Sequence, residues 1–154
     1  MERQGVVAQE FLQGLFAESQ VTVSVSFTVN EEEELVRLAV EGDNLGSFIG
    51  PRGLALQSLQ ELVRTVVQRK TGARNGRILV DVAGYREKRK VALELFTRQI
   101  AEEVLAGGVK KVLEPMGPAD RKIVHDTVNM IDGVDTSSEG EEPRRYVVIK
   151  PTVG

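Results

Sequence analysis

The chain has 154 residues, 41% of them hydrophobic, and a net charge of −3, which is enough apolar material to fill one domain or two small ones. With no cysteine and a single histidine, disulfides and thiolate metal sites are excluded and little remains for a metal cluster or a Ser/His/Asp nucleophile. No apolar run approaches the length of a membrane span, and the start MERQGVVAQE lacks a cationic stretch leading into a greasy one, so the expected compartment is the cytoplasm.

Along the chain, Val6, Val7, Phe11, Leu12, Leu15 and Phe16 have near-helical spacing and predict an amphipathic helix over 3–18. The period then changes. Val21, Val23, Val25, Phe27 and Val29 alternate with small polar residues, the pattern of a strand with one buried face. Asn30 and Glu31 to Glu34 form a polar turn, and a second alternating strand over 35–41 completes a hairpin. Gly42-Asp43-Asn44 leads into LGSFIGPRGLALQSLQELVRTVVQRK, which reads as helix, tight loop, helix. Its apolar spacing runs through Leu45, Phe48 and Ile49 before the loop and Leu54, Leu56, Leu59, Leu62, Val63, Val66 and Val67 after it. A basic loop over 74–77 precedes a third strand carried by Ile78, Val80 and Val82.

After Ala83-Gly84 a long helix is expected from Tyr85 to about Ala106, with Val91, Leu95, Ile100 and Val104 facing inward. Its first turns carry Arg86, Lys88, Arg89 and Lys90. Cations at a helix N-terminus oppose the macrodipole, at a cost of about 0.3–1 kcal/mol each, which points to a compensating anion, with Glu87 and solvation as the alternative. A short strand over 109–113, a rigid corner at Pro115-Met116-Gly117-Pro118 and a helix over 119–130 follow. The acidic, serine-containing stretch after Val134 could be a linker, but Thr136 and Ser138 alternate like an edge strand, Gly140 supplies a turn, and Tyr146 and Val148 supply a return strand.

The charge is unevenly spread. Residues 1–51 carry two basic and nine acidic side chains, 52–90 ten basic and three acidic, and 91–154 eight basic and eleven acidic. The positive block begins at the Gly50-Pro51-Arg52-Gly53 loop. Glycines leave that loop without bulk, so another backbone can lie against it, and Arg52 stands where a helix begins with its free N–H groups. The loop is shaped to receive a phosphate chain, although two helices meeting at a glycine turn would look the same.

The order α-β-β-α-α-β with a GxxG loop between its two middle helices resembles a KH domain of the bacterial, type II arrangement. The resemblance implies a clamp of Gly50, Pro51, Arg52 and Gly53 on the backbone of a single strand, with an apolar groove beside it for bases. Pro51 departs from the basic pair preferred in that loop and removes a donor, so weaker phosphate binding is expected.

In the second half, Glu114-Pro115-Met116 leads to Arg121-Lys122-Ile123-Val124-His125, an arginine and a histidine four apart and hence on one helix face. With the later VDTSSEGEEPRR run this is similar to an R3H domain. The implied contacts are Arg121, forking onto a phosphate, and His125, donating or stacking, with Lys122, Arg144 and Arg145 on the same surface. A packed or capping His125, and Arg144 and Arg145 merely solvating the hairpin, are the alternatives.

The whole chain therefore resembles the C-terminal region of the Jag (SpoIIIJ-associated) family of bacterial RNA-binding proteins, and Tyr85-Arg86-Glu87-Lys88-Arg89 fits it too. The expected fold is α+β, a type II KH domain over 1–83 followed by a small α/β R3H domain over 84–154. The family's additional N-terminal domain has no counterpart in these residues, leaving a short member or a trimmed piece as the two readings. The implied partner is single-stranded RNA, or single-stranded DNA, with no cofactor. No catalytic residue is expected, because GPRG lacks the spacing and lysine of an NTPase loop and no carboxylate cluster pairs with His125. The role that the resemblance implies is post-transcriptional regulation linked to cell elongation, division and the envelope; the rival class, which the resemblance also supports, is an adaptor that pairs with another KH protein or a second copy, with RNA incidental.

Overall fold

The computed structural model describes residues 1–74 and 76–152, and its chain divides into two units, Met1–Arg86 and Glu87–Gly154. Asn75, within the expected basic loop, lies outside the described residues. The first unit runs α1 (Glu2–Glu18), β1 (Val23–Asn30), β2 (Leu35–Gly42), α2 (Gly46–Ile49), a 3₁₀ turn (Pro51–Gly53), α3 (Leu54–Thr71) and β3 (Arg77–Val82). The helix expected before the loop is thus a single turn.

β2 pairs antiparallel with β1 and parallel with β3, in the order β1-β2-β3. The registers stack three apolar rows across the sheet: Val29–Val36–Ile78, Phe27–Leu38–Val80 and Val25–Val40–Val82. Because side chains alternate along a strand, these nine share one face, and α1 and α3 close it with Ala8, Leu12, Phe16, Leu56, Leu59, Val63 and Val67. Gly5 lets α1 come down on the sheet, since a Cβ there would stand 2.3 Å from the Phe27 ring. The rings of Phe16 and Phe48 meet at 4.6 Å, tilted by 53°, and anchor the short α2 to the core.

α4 (Tyr85–Gly107) begins the second set of elements, followed by β4 (Lys111–Val112), α5 (Pro118–Asn129), β5 (Val134–Glu139) and β6 (Tyr146–Pro151). β6 is the central strand of the order β4-β6-β5, antiparallel to both neighbours. The hairpin expected over the acidic stretch is present, and the strand expected over 109–113 is shorter. The core here is Ala101, Val104, Leu113, Val124, Val128, Val134, Val147 and Ile149.

α4 departs from the expected stripe. Its buried positions are Leu93, Thr97, Ala101 and Val104, while Val91 and Leu95 are exposed. Val104 is buried and Ile100 packs against the second core as expected, whereas in the first turns Leu93 and Thr97 take the inner face in place of Val91 and Leu95. The anion expected near its cationic start comes from within the chain. Asp81 Oδ1 accepts the N–H of Arg86 at 3.2 Å, and Arg89 pairs with Asp120 at 3.1 Å.

Candidate nucleic-acid interface

The GPRG loop has a distinctive backbone geometry, with its turn closed by the Gly53 N–H donating to the Gly50 carbonyl at 3.2 Å. Gly50 has φ 71° and ψ 175°, a region essentially reserved for glycine, and a Cβ there would stand 2.9 Å from the Ala55 nitrogen. Pro51 takes the first position of the 3₁₀ turn, where its missing N–H costs nothing. Arg52 is exposed and sits in the left-handed region at φ 55° and ψ 23°, which costs about 1–3 kcal/mol for a residue with a side chain. Gly53, also left-handed, is the N-cap of α3, and no side chain caps that helix end. The turn therefore presents a cation and a helix N-terminus at the same corner. Leu54 and Leu62, one helix face apart by two turns, are exposed beyond it rather than buried as expected.

Beside the corner, the end of β3 brings in residues that periodicity does not single out. A Cβ on Gly53 would stand 2.7 Å from Tyr85 Cε1 and 3.3 Å from its hydroxyl oxygen. The outer edge of β3 is occupied by Gln60, whose Oε1 accepts the Val80 N–H at 2.6 Å and whose Nε2 donates to the Ile78 carbonyl. Arg86 continues the cover, donating from Nε to the Val80 carbonyl at 3.0 Å and from Nη2 to Gln60 Oε1 at 3.4 Å. Burial, only partly offset by Asp81, lowers the Arg86 pKa from its ordinary value.

In the second unit the arginine and histidine of α5 lie on one face, as their spacing requires, but Arg121 is not open to solvent. It is 8% exposed, its Nη1 donates to the Met116 carbonyl at 2.7 Å, and its Nη2 is paired with Glu142. The expectation of a guanidinium free to fork onto a phosphate is corrected: an internal carbonyl and carboxylate already fill the fork. His125 is similarly engaged. Its Nδ1 lies 2.7 Å from Thr136 Oγ1 and its Nε2 2.7 Å from Ser138 Oγ, because alternate β5 side chains meet α5. Burial first, then the nearby Arg121 and Arg145 charges, lower its pKa, against an opposing effect of Asp126. The ring is neutral at pH 7, and its nitrogens are committed within the chain.

Lys122 is exposed and bonded to Asp126 at 2.8 Å, Arg144 is exposed, and half-buried Arg145 donates to the Gly140 carbonyl at 3.1 Å. Among the described residues no group of three or more acidic or histidine side chains could hold a metal, and no helix is long and apolar enough to cross a membrane.

The family profile of the KhpA/KhpB KH domain matches residues 7–82, and that of the R3H domain matches residues 91–151. The chain belongs to the Jag family. Jag-family relatives include the RNA-binding protein KhpB of Clostridium symbiosum, 39% identical over 142 residues that make up 92% of this chain and 64% of that protein. KhpB of Bacillus subtilis strain 168 is 35% identical over 79% of this chain and 59% of its own length. KhpB of Streptococcus pneumoniae D39 is 28% identical over 97% of this chain and 44% of its own. The chain thus spans less than two thirds of the length of these Jag-family proteins.

Proposed function

We propose that this chain binds single-stranded RNA, with the GPRG corner as its main contact, and acts as a cytoplasmic post-transcriptional regulator. The single observation that carries the reading is Arg52, exposed and held in a costly backbone conformation at the uncapped start of α3. Strain of that kind belongs where a ligand requires the geometry. The names of the KhpB relatives support the same reading. In the second unit, taken by itself, exposed Lys122 and Arg144 and half-buried Arg145 are the cations that would contact a nucleic acid, beside the rim of His125, and Arg121 holds Glu142 of the turn that carries Arg144 and Arg145.

The test is a titration of a labelled short oligouridine followed by anisotropy. Arg52→Glu should weaken binding by about tenfold or more, and its log-affinity against log-salt slope should flatten, because fewer counterions are released. Equal binding by parent and variant overturns the reading.

A second reading, an adaptor that pairs with another KH protein or a second copy, is favoured by one observation. Val91, Leu95 and Phe96 leave an apolar patch on α4 open, at 48%, 57% and 43% exposure. Under it, sedimentation shows partner-dependent assembly that Arg52→Glu leaves intact, and oligouridine binding is negligible. The link to cell elongation and division that the family implies is tested by whether a chromosomal Arg52→Glu allele reproduces the cell-length change of a deletion.

A further inference from the structure

We propose that Tyr85 forms a base-stacking subsite beside the GPRG loop, taking the nucleobase of the nucleotide whose phosphate the loop holds. The proposal rests on the RNA-binding reading and adds a place for the base. β3 runs parallel to β2, so the two strands end on the same side, and the segment leaving β3 emerges beside the loop that follows β2. Tyr85 is the first residue of α4 and turns the phenol end of its ring to Gly53, so that the glycine's missing Cβ is what admits the ring. The side chain is half-buried, packed on the fringe of the first core, and its backbone is fixed where Asp81 accepts the next N–H. A planar group held rigidly and partly open loses little freedom when a base lies on it.

The neighbouring strand edge decides which contact is on offer. A base entering there would ordinarily find backbone donors and acceptors to pair with, but Gln60 takes the Val80 N–H and the Ile78 carbonyl, and Arg86 takes the Val80 carbonyl. Edge hydrogen bonding is closed while those side chains stay in place. What the corner offers a base is then the half-buried Tyr85 ring, followed in sequence by the Arg86 guanidinium, and the exposed Leu54, a set suited to taking any base by its face rather than reading its edge.

The chain contains two tyrosines, Tyr85 and Tyr146, and no tryptophan, so Tyr146→Phe leaves Tyr85 as the only strong intrinsic fluorophore. In that variant an oligouridine should quench tyrosine emission with the midpoint found by anisotropy. In the parent background, Tyr85→Leu should weaken binding by about tenfold with the salt slope unchanged, since stacking releases no counterions, and Tyr85→Phe should stay within about twofold. RNA binding that Arg52→Glu weakens, accompanied by flat Tyr85 emission or by parent-like affinity in Tyr85→Leu, overturns the subsite while leaving the RNA reading in place. So does Tyr85→Phe losing as much as Tyr85→Leu, since the ring face would then contribute nothing. A parent that binds no oligouridine removes the RNA reading, and the subsite with it.

Discussion

Arg121 and Glu142, 21 residues apart in sequence, form an ion pair that ties α5 to the turn between β5 and β6. The arginine is almost fully buried, whereas the Glu142 side chain remains about half exposed at 53%. Changing either partner therefore leaves the buried end of the pair short of a hydrogen bond. Glu142→Ala leaves a buried guanidinium still bonded to the Met116 carbonyl but without its carboxylate, and should cost about 1–3 kcal/mol. Arg121→Lys keeps the charge but cannot fork to both acceptors, and should cost a similar amount. A double-mutant cycle in urea should return a coupling of about 1–2 kcal/mol; additive losses would mean that the pair contributes nothing.

His125 is the chain's only histidine, which makes its titration separable from everything else near neutrality. Its folded pKa lies below the ordinary value of 6.5. Between the two values the unfolded chain binds more protons than the folded one, so stability rises with pH across that window and levels off above it. As pH falls below about 6.5 the parent should lose stability, and His125→Gln should show no such loss between pH 7.5 and 5.5 in urea unfolding. Parallel pH profiles would place the titration elsewhere.

Thr97 is fully buried on the inner face of α4, and its hydroxyl has no hydrogen-bond partner among the described residues. Replacing it with the near-isosteric valine removes an unsatisfied polar group without opening a void. Thr97→Val should raise stability by about 1 kcal/mol, read as a higher urea midpoint at unchanged slope.

Pro51 denies the GPRG loop a second cation. Pro51→Lys should tighten oligouridine binding at low salt and steepen the salt slope by about 0.7, the increment for one more neutralised phosphate on a single strand. It should also lose about 0.4–1 kcal/mol of stability, because proline restricts the unfolded chain and a flexible residue does not. An unchanged slope would put the phosphate out of reach of that position.

The first sheet was open to reading because its signal is local. Val25, Phe27 and Val29 against Val36, Leu38 and Val40 state their alternation outright, and the GPRG loop announces itself by its glycines. The β5–β6 hairpin was likewise visible in Thr136, Ser138 and Gly140. In α4 the expectation holds for Ile100 and Val104 but fails for Val91 and Leu95, which point out while Leu93 and Thr97 are buried, so size is a poor guide to burial in its first turns.

The spacing of Arg121 and His125 correctly placed them on one face, but spacing says nothing about what that face meets. Their partners, Glu142, Thr136 and Ser138, lie 11 to 21 residues away and arrive only when β5 packs on α5. In the sequence Tyr85 stands out only as the start of a helix and as part of a family signature. Its contact with Gly53 depends on β3 joining β2 in parallel, a pairing that leaves no mark in either strand's own residues.

The amide of Gln60 has one more effect. By lying along the margin of β3 it denies that side of the sheet to any foreign strand, leaving further pairing only past β1, where Gln9 already holds the Val25 carbonyl. An assembly that grows by adding strand upon strand needs two free margins per molecule. Gln60, with Arg86 beside it on the Val80 carbonyl, thus guards the domain against ribbon-like self-association at high concentration.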